Sequence, residues 1–288
     1  MAGHLTNGDT IRLIINADDY GYFASVSRGI LEAVKTGMIS ATGIMSNSNC
    51  FDEQVDRLQT IDSLDIGVHL NLTYGHPLST EMKTCLKKWG GSFPGKFNIV
   101  MSLLAGKIKL DSVIQEFRLQ IERCLNKGFT ILFLNSHEHI HMLPPIFSSV
   151  VALAKQYQIP FIRYSKAEWM GKLKIDGFMR NLVFQVCNSI NFMSKPKNSL
   201  TLIGMGDSGK LNLNYIERQF SNLKPGRIYE LMCHPGFFDS EEITEPRLIC
   251  YHNWEAEYEL LQSTEMQNLC ERYGVKITRY SNIINNVN

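Results

Sequence analysis

Three histidines alternate in Asn135-Ser136-His137-Glu138-His139-Ile140-His141, directly after the apolar run Thr130-Ile131-Leu132-Phe133-Leu134. The apolar run reads as a buried strand, so three imidazoles are delivered to one strand end. In an extended chain alternate residues share a side, which turns His137, His139 and His141 toward a common space and Glu138 and Ile140 away. Imidazole is the commonest protein metal ligand and titrates near neutrality, so the cluster suits metal binding or proton transfer. One buried histidine would read as a satisfied core group; three alternating ones after a strand do not.

Other groups that could do chemistry share this kind of position. Asp18 and Asp19 follow the short β-rich run Arg12–Asn16, His69 lies near the end of the strand expected over Asp65–Leu72, and His234 follows the strand expected over Arg227–Cys233. In a parallel α/β fold all of these collect at the C-terminal edge of the sheet, where active sites form. A lone Asp-Asp pair would cap a helix or form a turn. After a buried strand nothing structural demands both carboxylates; one can bind a cation while the other takes a proton from bound water. Cys233, beside His234, reads as a small core residue.

The elements that must position these groups alternate along the chain. Strands are expected at Arg12–Asn16, Ile39–Ser46, Asp65–Leu72, Thr130–Leu134, Pro160–Tyr164, Leu200–Ile203, Arg227–Cys233 and Val275–Tyr280. Between them, helical spacing covers Ser27–Lys35, Phe51–Leu58, Asp111–Lys127, Pro144–Tyr157, Gly177–Asn191, Asn212–Leu223 and Trp254–Tyr273. Asp111 is the expected N-cap of a helix whose inner face is Val113, Phe117, Ile121 and Cys124, and Gly177–Asn191 is unusually apolar. With no repeat or linker, residues 1–288 read as one α/β domain with its core over about 11–282, a (β/α) barrel or a distorted one. The irregular stretch Thr73–Lys96 is long enough to be a binding element, and the segment Tyr164–Ser208 is expected to help shape the pocket.

Composition narrows the function classes. A net charge of +1 gives no bulk attraction to nucleic acid or an anionic membrane, and 44% hydrophobic content supports a large core. Met1–Asp9 is polar, with no apolar segment of a signal peptide, and no run reaches the ~20 apolar residues of a membrane span. Seven scattered cysteines, an odd number without a CxxC pair, fit a reducing compartment and a cytoplasmic protein.

Four blocks carry a resemblance. Asn16-Ala17-Asp18-Asp19-Tyr20-Gly21, Gly67-Val68-His69-Leu70-Asn71-Leu72, Ser136-His137-Glu138-His139-Ile140-His141-Met142-Leu143-Pro144 and Glu230-Leu231-Met232-Cys233-His234-Pro235-Gly236 resemble, in order, the signature blocks of the YdjC-like carbohydrate deacetylases, which include chitooligosaccharide deacetylases. The resemblance implies a distorted (β/α) barrel akin to polysaccharide deacetylases, acting on N-acetylated sugars. It implies one divalent metal ion held by Asp19, His69 and His137, with Asp18 as general base. Asn135 stands where members of the family usually carry Asp, which removes a carboxylate and bears on how His137 is oriented.

Amide hydrolysis needs an activated water, a charge opposite the oxyanion and an acid for the leaving amine. The metal would supply the first two, and His234 could protonate the amine or support the oxyanion. His139 and His141 would overfill a site that must admit water, so they are expected behind the ligands or on the substrate wall. Arg163, at the position of a family Arg, is expected to touch substrate or orient Asp18, with a surface salt bridge as the alternative. Tyr20, Trp89 and Phe237 could stack on a sugar; His4, His76 and His252 are given no role.

Two other readings remain open: a metal hydrolase of another bond such as a phosphoester, and a catalytically weak sugar-binding protein on the same fold. The resemblance suggests Mg²⁺, whereas two His and one Asp suit Zn²⁺ or another transition metal. A homodimer is compatible with a barrel of this type.

Overall fold

The computed structural model describes residues 10–169 and 175–284; His4 and the polar start Met1–Asp9 lie outside them. The strands are β1 (Ile11–Tyr20), β2 (Ala41–Ile44), β3 (Asp65–Leu70), β4 (Ile131–Ser136), β5 (Phe161–Ile162), β6 (Thr201–Ile203), β7 (Ile228–Cys233) and β8 (Val275–Ile277). The helices are α1 (Ala24–Val34), α2 (Phe51–Leu58), α3 (Thr80–Cys85), α4 (Lys96–Leu104), α5 (Leu110–Asn126), α6 (Pro144–Gln156), α7 (Ile175–Asn191), α8 (Leu213–Phe220), α9 (Pro246–Tyr251), α10 (Trp254–Gln262) and α11 (Thr264–Arg272).

Every strand pairing is parallel, in the order β5-β4-β3-β2-β1-β7-β6, with β8 against the start of β1. The terminal strands β5 and β6 are not paired with each other among the described residues, so the sheet is a curled half-barrel, a distorted barrel that does not close. Strands buried on both faces read as continuous apolar runs, which is why β1 and β4 were legible. Helices cover the sheet with narrow apolar stripes: Val113, Phe117, Ile121 and Cys124 of α5 are fully buried.

Several boundaries differ from expectation, each for a local reason. β1 continues through Asp18 and Asp19 to Tyr20, so the acidic pair is inside the strand and not after it. The cap of α5 is Lys109, and Asp111 sits in the first turn, where its carboxylate faces the positive end of the helix. The single helix expected over Trp254–Tyr273 is two, because Ser263 leaves the helical region and its Oγ accepts from the Met266 N–H to start α11. Within Thr73–Lys96, Ser79 caps the short helix α3 in the same way.

One close approach fixes the loop after β7. A Cβ at Gly29, inside α1, would lie 2.4 Å from the Gly236 backbone, so only glycine lets the Cys233-His234-Pro235-Gly236 turn pack on that helix. Gly29→Ala is therefore expected to displace this turn and destabilise the protein by about 1–3 kcal/mol, seen as a lower denaturation midpoint.

Candidate metal centre and its surroundings

Neighbouring residues of a regular strand point to opposite faces, yet Asp18 and Asp19 both face one site. Between Ala17, paired with Thr42, and Tyr20, paired with Ile44, β1 advances three residues while β2 advances two. This bulge is closed by Asp19 in the left-handed region at φ 71°, which an aspartate tolerates better than a branched residue. The extra residue re-aims one carboxylate, and the pair converges.

Asp19 meets two imidazoles. Its Oδ1 lies 2.8 Å from His137 Nδ1 and 3.1 Å from His69 Nε2, and one ligand atom from each of the three residues fits within a 4.8 Å group. Asp19 Oδ2 is buried with no hydrogen-bond partner. An orphan carboxylate oxygen beside two ring nitrogens is the donor set a divalent cation takes up. Burial opposes the charge on both Asp19 and His137, but each overrides it for the other: Asp19 is held well below the usual carboxylate range and His137 above the usual imidazole range.

Asn135 organises the other side. Asp18 can only accept, so the Asn135 amide donates to Asp18 Oδ1 at 2.9 Å and turns its oxygen to His69 Nδ1 at 2.8 Å. That oxygen requires a proton on His69 Nδ1, which leaves Nε2 either to carry a second proton or to offer its lone pair to a cation. Aspartate at 135 would set a second carboxylate against Asp18. Asn135 thus orients His69 and Asp18; it does not contact His137, whose orientation comes from Asp19 and from the edge of Tyr22 at 4.9 Å between ring centroids. Gly43 makes room for this contact, since a Cβ there would lie 3.0 Å from Asn135 Oδ1 and 3.2 Å from His69 Cβ.

Arg163 is fully buried, which removes the surface-salt-bridge alternative. Its guanidinium pairs with both oxygens of Asp18, one at 2.9 Å, and with Glu230 Oε1 at 2.6 and 2.7 Å. Burial would raise the Asp18 carboxyl, but Arg163, with His69 behind it, holds it below its ordinary value. Glu230 was missed by sequence reasoning, although a carboxylate inside the apolar strand Tyr229-Glu230-Leu231-Met232-Cys233 is a signal of a buried partner.

The alternating histidines do not share a space. After Ser136 the chain leaves the strand, with Glu138 and His139 both in the left-handed region at φ 51° and 54°, and it coils through Met142. Only His137 turns to the acidic pair. His141 is a satisfied core group, its two nitrogens on Ser136 Oγ at 2.5 Å and the Arg163 carbonyl at 2.9 Å. His139 contacts Ser165 Oγ at 2.8 Å and the edge of Phe184.

His234 is buried at the end of β7, its backbone N–H donating to Glu257 at 2.6 Å. Its ring lies 5.1 Å from that of His252, which stacks on Trp254 at 4.7 Å. His234 Nδ1, His252 Nδ1 and Trp254 Nε1 all lack partners. Nothing in the sequence pointed to His252, because its proximity to His234 exists only through folding of the segment after β7. Of the aromatic candidates, Tyr20 is buried and donates to the Gln54 carbonyl, Trp89 lies under Lys88, and Phe237 packs on Tyr258. His76 contacts Ser92 Oγ at 3.2 Å in the loop after β3.

The fold and site together define a parallel α/β half-barrel with a candidate metal centre at the C-terminal strand ends. The chain belongs to the YdjC-like protein family, whose sequence model matches residues 12–272. A carbohydrate deacetylase of Clostridium beijerinckii is 31% identical over 232 residues, covering 80% of this chain and 84% of that protein. Carbohydrate deacetylase 1 of Listeria innocua is 28% identical over 278 residues, 95% of this chain and 100% of that one. A crystal structure from Enterococcus faecalis, provisionally described as a cellobiose-phosphate cleavage protein, matches with a TM-score of 0.70 at 25% identity, covering 95% and 99% of the two chains.

Arg163→Leu is expected to cost about 3–5 kcal/mol in chemical denaturation, because it strands two buried carboxylates. The Asp19–His137 pair sets a pH dependence. His137 binds its proton more tightly folded than unfolded, so its contribution to stability is complete below the ordinary imidazole range and is lost as pH rises through the raised one. Asp19 contributes above the ordinary carboxylate range and fails only in strong acid. Thermal unfolding of metal-free protein should therefore show stability falling as pH rises beyond neutrality, and His137→Asn should flatten that fall.

Proposed function

We propose that this protein removes acetyl groups from N-acetylated amino sugars, using a divalent metal ion held by Asp19, His69 and His137. The observation that carries the reading is the convergence of these three ligand atoms within 4.8 Å beside a second buried carboxylate, Asp18. The names of the Clostridium and Listeria relatives supply the substrate class. A phosphoesterase would need more free cationic groups at the centre; Arg163, the buried guanidinium found there among the described residues, is already committed to Asp18 and Glu230.

When bound, the cation would lower the pKa of a water and polarise the acetyl carbonyl. Asp18, kept ionised by Arg163 and aimed by Asn135, takes the water's proton. The water oxygen bonds to the acetyl carbon, the C–N bond breaks, and His234 gives a proton to the departing amine, leaving acetate and a free amino sugar. Asn135 holds the His69 tautomer, and Arg163 keeps Asp18 charged. His139 is held by Ser165 behind the ligands, and His141 holds the backbone of Arg163 in place. Two imidazoles and one carboxylate suit Zn²⁺ or another transition metal, and the family resemblance suggests Mg²⁺. Seven unpaired cysteines support a cytoplasmic site of action.

The test is acetate release from di-N-acetylchitobiose and other N-acetylated sugars by metal-stripped protein with Mg²⁺, Zn²⁺, Mn²⁺ or Co²⁺ restored. Asp18→Asn should retain metal yet lose about 10²–10⁴-fold in kcat. His137→Ala should lose metal, and activity that survives this substitution removes the proposed centre. Metal uptake with phosphate release in place of acetate would favour the phosphoester reading.

A further inference from the structure

The loops at the C-terminal edge of the sheet enclose a second space beside the candidate centre. A pocket of about 290 Å³ lies where the segments after β1, β2, β3 and β7 meet, and Asp19, His69 and His137 are not in its wall. Tyr22 joins the two places. Its ring centroid lies 4.9 Å from that of His137 and 4.6 Å from that of Tyr74, and Phe23 packs on both tyrosines at 4.4 and 5.9 Å. The pocket is therefore one aromatic ring away from a candidate metal ligand. Its size, at the low end of the roughly 300–1,000 Å³ of small-ligand sites, admits one sugar-sized group and not an oligomer.

The wall is held by bonds of its own. Asn47 donates to the carbonyls of Tyr74 and His76 and accepts from the Asn71 amide at 3.0 Å, while Asn71 Oδ1 takes the backbone N–H groups of Thr73 and Tyr74. These bonds tie the loop after β3 to the loop after β2 and fix Tyr74, which is half-buried.

The same wall holds an uncommitted carboxylate. Glu242, from the segment after β7, accepts from the Ser25 N–H and Oγ, both at 2.8 Å and both through Oε2. Among the described residues its Oε1 has no hydrogen-bond partner, and neither Glu242 nor Glu245 has a cationic one. Burial and then Glu245 push the Tyr74 hydroxyl up; burial and then Glu242 push up the Cys50 thiol, which also lines the pocket. The negative charge thus reaches both sides of the space.

These features select the occupant. Aromatic rings accept the C–H groups of a pyranose, and also an ammonium, through their quadrupole. A fixed carboxylate with a free oxygen adds a charge-assisted hydrogen bond to a protonated amine. An acetamide in place of that amine removes the charge and leaves Glu242 without its counter-ion.

We propose that the pocket walled by Tyr22, Phe23, Tyr74 and Glu242 is a subsite for a sugar ring carrying a free amino group, the neighbour of the ring whose acetamide meets the metal. The link to an acetamide rests on the deacetylase reading, whereas the preference for an amino sugar does not and is tested without turnover. Metal-free protein is titrated calorimetrically with glucosamine, N-acetylglucosamine, glucose and ethylamine at slightly acidic pH, where the amines are charged. Glucosamine is expected to bind at least about tenfold more tightly than the other three. Glu242→Gln, which keeps an acceptor for Ser25, should remove that preference, and Tyr74→Leu should weaken glucosamine binding with the carboxylate in place. Unchanged thermal unfolding verifies that each variant is folded; should Glu242→Gln not fold, the ligand series and Tyr74→Leu decide. Glucosamine binding that is no tighter than that of glucose or N-acetylglucosamine, or that is undiminished in Glu242→Gln, overturns the proposal. Equal binding of ethylamine assigns the pocket to a bare cation and overturns it as well. Glu242-dependent glucosamine binding with no acetate released from any N-acetylated sugar overturns the deacetylase reading and leaves the amino-sugar subsite standing.

Discussion

The site depends on one backbone irregularity, the bulge that places Asp18 and Asp19 on the same side of β1. Without it an adjacent acidic pair in a buried strand would bury one carboxylate among the core helices, where an unpaired charge is untenable. With it, one carboxylate meets His69 and His137 and the other meets Arg163 and Asn135. The left-handed Asp19 stores strain that the parallel pairing of β1 with both β2 and β7 sustains.

Around that bulge, the charges are arranged so that each carboxylate has its own counter-group. Arg163 lies between Asp18 and Glu230, and the imidazoles attend Asp19. A planar guanidinium suits this, because it can hold two carboxylates at fixed angles while fully desolvated. The amide of Asn135 bridges the two halves, donating to one and accepting from the other, a task that a second ionised carboxylate could not perform beside Asp18. His141, two bonds deeper, fixes the Arg163 backbone and so belongs to the same construction without facing the site.

The opposite end of the scale is the rim. Among the described residues the large apolar side chains left exposed all lie in the segments after β3, β5 and β7, which also bury others such as Ile99, Phe184 and Ile243.

Much of this was readable from the chain. The apolar runs of β1, β4 and β7, the span of α2 and the inner stripe of α5 follow from local periodicity. That Asp18, Asp19, His69, His137 and His234 gather at one edge follows from their places at parallel strand ends, since a parallel sheet brings those ends together, while the choice of Asp19, His69 and His137 as a ligand set was what the family resemblance implied. The sequence pattern could not show that His139 and His141 would turn away from His137, because left-handed residues at 138 and 139 abolish the period-two rule that an extended chain obeys. Nor could it pair Arg163 with Glu230, place His252 beside His234, or leave the sheet open between β5 and β6. Those outcomes rest on contacts between residues far apart in sequence, and on a one-residue slip in register. Residue types and spacing determined which groups were available for chemistry, while packing between distant strands decided which way each one points.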